Sequence, residues 1–119
     1  MDKWLNHHFE SSVGLTEDFA AFAKDFQKEI KKATEPQYKL VTYSRGHFYI
    51  SGFLKSKDTG KFIYFSISDV RAFSNEWYNQ ILVRTAKDEK DYTGGINNFT
   101  SLENLLIACN KLARLVKPN

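Results

Sequence analysis

Rings and cations alternate through the middle of this chain: Tyr43, Arg45, Tyr49, Lys55 and Tyr64 fall in one stretch. Aromatic faces stack on bases while Lys or Arg neutralises phosphates, so this mixture on a sheet meets the physical requirement for gripping single-stranded nucleic acid. A second set follows in Arg84, Lys87, Tyr92, Gly94, Gly95 and Asn97. The two glycines would let backbone amides approach a partner, and Tyr92 could fold the segment onto the body. If a helix starts just beyond Asn98, its amino end would face Gly94–Asn98 and favour a phosphate or carboxylate, helped by Arg84 and Lys87.

Proton-transfer chemistry has thinner support. His47 could act as a general base, with Asp88, Glu89 or Asp91 supplying a carboxylate. However, the chain has no phosphate-binding loop, nucleophile elbow or dinucleotide fingerprint. His7 and His8 are adjacent, whereas a helical metal pair needs i, i+4 spacing, and no Cys or carboxylate cluster completes a set. No catalytic residue, metal or cofactor is expected.

These residues need elements to hold them. Leu15, Phe19, Phe22, Ala23, Phe26, Ile30 and Ala33 follow a 3.6-residue period, which predicts a first helix capped by Thr16 and ended by Pro36. From Tyr38 the period becomes two. Strands Tyr38–Ser44 and His47–Lys55 flank an Arg45-Gly46 turn, and Lys61–Ile67 follows Lys57-Asp58-Thr59-Gly60. Alternation assigns Leu40, Phe48, Ile50, Leu54, Ile63, Phe65 and Ile67 to the face that packs on helices. Tyr43, Tyr49, Phe53, Lys55, Phe62 and Tyr64 are assigned to the other. Ser68–Phe73 reads as a capped helical turn, Trp77 as the anchor of a connection, and Gln80–Thr85 as a fourth strand. Ala86–Asn98 is a long loop, and connections of its length are usually functional or disordered. Thr100-Ser101-Leu102-Glu103 reads as a capping box opening a last helix, Ser101–Val116, which buries Leu102, Leu105, Leu106, Cys109, Leu112, Ala113 and Val116.

The expected architecture is therefore α+β: one domain spanning residues 1–119, with residues 1–14 as an N-terminal arm or short helix. A mostly antiparallel four-stranded sheet carries both long helices on one face, in the order α-β-β-β-β-α. A chain of 119 residues fits one domain with one sizeable core. No apolar run approaches a membrane span and no basic-then-apolar leader opens the chain, so a cytoplasmic protein is expected. The lone cysteine, Cys109, lies on an apolar stripe and reads as core.

Net charge is +3, unevenly placed: Gln37–Ile67 holds five basic residues and one acid. The positive balance therefore belongs to the strands that carry the tyrosines. Arg45-Gly46-His47-Phe48-Tyr49-Ile50 opens as an RNA-recognition-motif signature does. Phe48 occupies the small-residue place, Gly52 the closing aromatic, and the leading helix disagrees with that fold, so no family is assigned. The reading is a non-enzymatic binding protein for nucleic acid or a nucleic-acid-processing protein. Two other classes remain open: an accessory protein of a phage or mobile element that inhibits a host defence enzyme, and a small nucleotide-binding protein or enzyme using the 84–98 loop.

Overall fold

A computed structural model describes residues 16–46, 49–67, 81–92 and 95–115. The expectations for the N-terminal arm, His47, Phe48, Ser68–Phe73, Trp77, Gly94 and Val116 lie outside these residues. Helix α1 (Thr16–Thr34) precedes strands β1 (Tyr38–Arg45), β2 (Ile50–Ser56), β3 (Phe62–Ile67), β4 (Ile81–Ala86) and β5 (Asn97–Thr100), and helix α2 (Leu105–Leu115) follows. The strands form one antiparallel sheet in the order β1-β2-β3-β4-β5. The architecture is α+β, with a fifth strand added to the four read from the sequence.

Both helices share one core with one face of the sheet. Phe22, Phe26 and Ile30 of α1 and Leu105, Cys109 and Leu112 of α2 are buried with Ile50, Leu54, Ile63, Phe65, Ile67, Ile81 and Val83. Phe22 and Phe26, one helical turn apart, stack with centroids 5.6 Å apart. Full burial of such side chains stabilises by about 1.5–3 kcal/mol each, which is why the helical stripe dictates where α1 docks. Gly52 sits on this face between Tyr43 and Phe65 in the neighbouring strands. A side chain there would come within 2.7 Å of the Phe65 ring, so the missing Cβ is what lets the ring lie across the sheet.

The helix face departs from the expected alternation in one strand. Leu40 pairs with Leu54 but Thr42 pairs with Phe53, so Val41 is an extra residue in a bulge. One inserted residue reverses the phase of everything after it. Tyr43, assigned by alternation to the face away from the helices, therefore packs against the core, and its hydroxyl donates to the Ala23 carbonyl of α1 at 2.6 Å. Arg45 lies opposite the buried Ile50 and follows the same phase.

The two turns flanking β2 and β5 also differ from expectation. The β1–β2 turn is longer than Arg45-Gly46: Arg45 still pairs with Ile50, and the Gly46 amide donates to the Tyr49 carbonyl at 2.9 Å. Residues 97–100 pair with β4 and do not lead into a helix. The last helix starts at Leu105, after a turn closed by Ser101, whose Oγ accepts the Asn104 amide at 3.2 Å, and Thr100 is a buried strand residue whose hydroxyl donates to the Ser101 carbonyl. A Ser or Thr hydroxyl can satisfy an amide two or three residues on, and Ser101 does so one turn ahead of α2.

Candidate functional site

Register places three rows across the sheet face away from the helices. At the end nearest the β2–β3 turn, Lys39, Lys55, Phe62 and Ala86 stand side by side. The next row is Thr42, Phe53, Tyr64, Arg84 and Asn97, and the third is Ser44, Ser51, Ser66, Leu82 and Phe99. Phe53, Lys55, Phe62 and Tyr64 are thus on the face that alternation assigned to them.

The second row is the centre of the site. Phe53 is fully buried although it faces away from the helices. Tyr64 lies beside it at 5.2 Å, and Tyr92 meets Phe53 at 5.2 Å and Tyr64 at 6.0 Å, near-perpendicular to both. Edge-to-face rings at these separations attract through their quadrupoles as well as by burial. Tyr92 is nonetheless 56% exposed, so it is both a loop anchor and the accessible ring of the group.

Arg84 holds that loop. Its guanidinium lies 4.5 Å over the Tyr64 ring, donates to the Asp91 carbonyl at 2.7 Å and to the Thr85 carbonyl at 3.3 Å, and stands 4.0 Å from the Asp91 carboxylate. Only 6% of the residue is exposed. Its charge is taken up inside the hairpin, where a planar fork can serve two carbonyls at once. Asp91 completes the arrangement by accepting the Lys87 amide at 3.0 Å, and Asp88 accepts the Lys90 amide at 2.8 Å. Gly95 has φ +93°, and a Cβ there would overlap the Thr85 carbonyl oxygen. That backbone is open to glycine and strained for other residues. The Ile96 amide donates to Thr85 Oγ1, and the Thr85 amide returns a bond to the Ile96 carbonyl.

The structure therefore gathers Tyr64, Arg84, Tyr92, Gly95 and Asn97 around one hairpin, with Lys55 one row away. Lys87 is exposed at the hairpin's start. Tyr43 and Arg45 belong to the opposite face, and Tyr49, 53% exposed, stands at the far hairpin, four residues or about 13 Å from the Phe53–Tyr64 row. The proposed helix amino end beside Gly94–Asn98 is absent, because β5 and the Ser101–Asn104 turn intervene before α2.

Sequence reasoning missed Lys39, which faces Lys55 directly across β1 and β2 with both side chains exposed. The cross-strand neighbours of Lys55 are Lys39 and Phe62, and its ammonium lies 5.4 Å from the Phe62 centroid. Like charges directly opposite one another are destabilising, so this pair is a site where an anion would relieve repulsion. Only the strand register could have revealed it. The exposed Phe99 of the edge strand, 60% accessible, was also missed.

Among the described residues no three His, Cys, Asp or Glu side chains stand close enough to hold a metal ion, and no helix is long and apolar enough to cross a membrane. No family model, curated protein or solved structure matches the chain.

Proposed function

We propose that this chain is a non-enzymatic binding domain whose sheet face away from the helices engages single-stranded nucleic acid. The observation that carries this reading is the opposed pair Lys39–Lys55, set beside Phe62 and one row from Tyr64 and Tyr92. Two cations with no acidic partner among the described residues supply phosphate neutralisation, and Tyr92 supplies an accessible ring for a base. Tyr64, half-buried and with Arg84 over its ring, backs Tyr92 more than it offers a free stacking surface. Arg84 acts as a positioning residue that fixes the hairpin bearing Tyr92.

Fluorescence anisotropy with labelled single-stranded oligonucleotides tests the reading. Wild-type affinity should fall steeply with salt, and Lys39→Ala with Lys55→Ala should reduce the slope of log K against log salt by about 1.4, since each phosphate neutralised on a single strand contributes about 0.7. Tyr92→Ala should weaken binding by about 1–3 kcal/mol with little change in that slope. No salt-dependent binding at low ionic strength overturns the proposal. A protein captured from lysate and retained after nuclease treatment would move the partner to the protein class.

A further inference from the structure

A cleft of about 750 Å³ opens at the same end of the sheet but on the helix side, between the α1–β1 connection, the β2–β3 turn and the last turn of α2. Its volume lies within the range of small-molecule sites, about 300–1,000 Å³. One wall is a directed relay. The Tyr38 hydroxyl donates to Asn110 Oδ1 at 2.8 Å, and Asn110 Nδ2 donates to Gln37 Oε1 at 3.0 Å. With its oxygen engaged as an acceptor, Gln37, which is exposed, presents its amide NH₂ as the outer donor of the relay. Successive bonds polarise one another, which strengthens that donor.

Among the described lining residues, cations outnumber acids. Lys57, Lys61 and Arg114 face one acid, Asp58. Helix carboxyl ends carry partial negative charge that attracts cations, and the hydrogen bonds at these ends draw on Lys61 and on local groups. Lys61 Nζ donates to the Ala113 carbonyl of α2 at 3.0 Å. At the end of α1, the Ile30 carbonyl accepts the Thr34 hydroxyl, Lys31 the Glu35 amide and Thr34 the Gln37 amide. Lys57 and Arg114, both exposed, are not called on by any of these bonds.

We propose that this cleft binds a phosphate monoester, its phosphate held by Lys57, Arg114 and the Gln37 amide. A phosphate monoester carries close to two negative charges near neutral pH and three terminal acceptor oxygens, matching two separated cations and one amide donor. A carboxylate carries one charge and would balance only one of the two cations. The site is separate from the sheet face, since the relay and the cations sit on the α1–β1 connection, the start of β1, the β2–β3 turn and α2. Its ligand is either a free nucleoside monophosphate or the terminal phosphate of a nucleic-acid strand.

Two-dimensional amide NMR with adenosine 5′-monophosphate, a 5′-phosphorylated dinucleotide and the same dinucleotide without its phosphate tests the site and separates the sources. Both phosphorylated probes should move the side-chain NH₂ signals of Gln37 and Asn110, and the unphosphorylated one should not. Tighter binding of the dinucleotide by tenfold or more identifies a strand end; equal or weaker binding identifies the free nucleotide. Lys57→Ala with Arg114→Ala should weaken either by at least tenfold, whereas Lys24→Ala with Lys28→Ala, two exposed cations of α1, should not. Retention of native dispersion in each variant separates lost recognition from misfolding. The proposal is overturned if no probe binds at millimolar concentration, if the Lys57/Arg114 variant binds as wild type does, or if only signals on the opposite sheet face respond.

Discussion

Arg84 shows why a cation in a binding loop need not touch a ligand. Its guanidinium is spent on the Asp91 and Thr85 carbonyls and the Tyr64 ring, so its removal should be read first as a loss of stability. Arg84→Met should cost about 2 kcal/mol, the scale of hydrogen bonds made by a charged group. Arg84→Lys should recover little, because one ammonium cannot reproduce a planar fork. Urea unfolding measures both, and full rescue by lysine would contradict the two-carbonyl role. Burial sets a second, pH-dependent property. It pushes the Cys109 thiol from 9.0 to about 12, and pushes Tyr38 from 10.0 to about 12, with Cys109 adding to the rise and Arg114 opposing it. Each group stays protonated in the folded chain at pH values where the unfolded chain releases its proton. Their contribution is therefore complete below about pH 9 and declines as pH rises towards about 12. The urea midpoint should fall across that window, and Cys109→Ala should move the onset of the fall up towards pH 10, the ordinary value of tyrosine. An onset unchanged by the substitution would show that the thiol does not report on folding.

Elements were legible where periodicity was strong and misread where one residue altered the phase. The α1 stripe Phe22, Ala23, Phe26, Ile30 and the α2 stripe Leu105, Cys109, Leu112 are buried as their spacing requires. In β1 the sign of trouble was the adjacent pair Leu40-Val41, two apolar residues where strict alternation allows one, and the bulge there sent Tyr43 and Arg45 to the helix side. Strand β5 was hidden twice. Asn97 and Asn98 have poor strand propensity and pair at a sheet edge through main-chain bonds, while Thr100-Ser101-Leu102-Glu103 imitates a capping box ahead of a helix that starts only at Leu105. The Lys39–Lys55 pair depends on strand register, which the hairpin loop sets and residue types alone do not. The Ser101 turn that leads into α2 has its own test. Ser101→Ala should lower stability by about 1 kcal/mol and speed amide exchange at Asn104. Thr100→Val should leave that amide's protection unchanged, and the opposite pattern would assign the capping role to Thr100.

At the scale of the molecule, the sheet separates two chemistries. One face is apolar and covered by helices; the other carries the Lys39–Lys55 pair, the Phe53–Tyr64–Tyr92 rings and a hairpin fastened by Arg84. The order β1-β2-β3-β4-β5, in which each strand lies beside its neighbour in the chain, also has a consequence for the time course of folding. Each strand can be added by closing the connection next to it, and closure entropy grows slowly with loop length, so the meander can assemble hairpin by hairpin. Docking of α2 onto the start of β1 is different: Tyr38 and Asn110 are 72 residues apart, and Gln37 and Asn110 73. That clasp closes late on this view. Asn110→Ala should then accelerate unfolding while leaving the folding rate nearly unchanged, and Phe65→Leu at the sheet's centre should slow folding. Stopped-flow chevrons report both limbs, and a slowed folding limb for Asn110→Ala would place the helix in the nucleus instead.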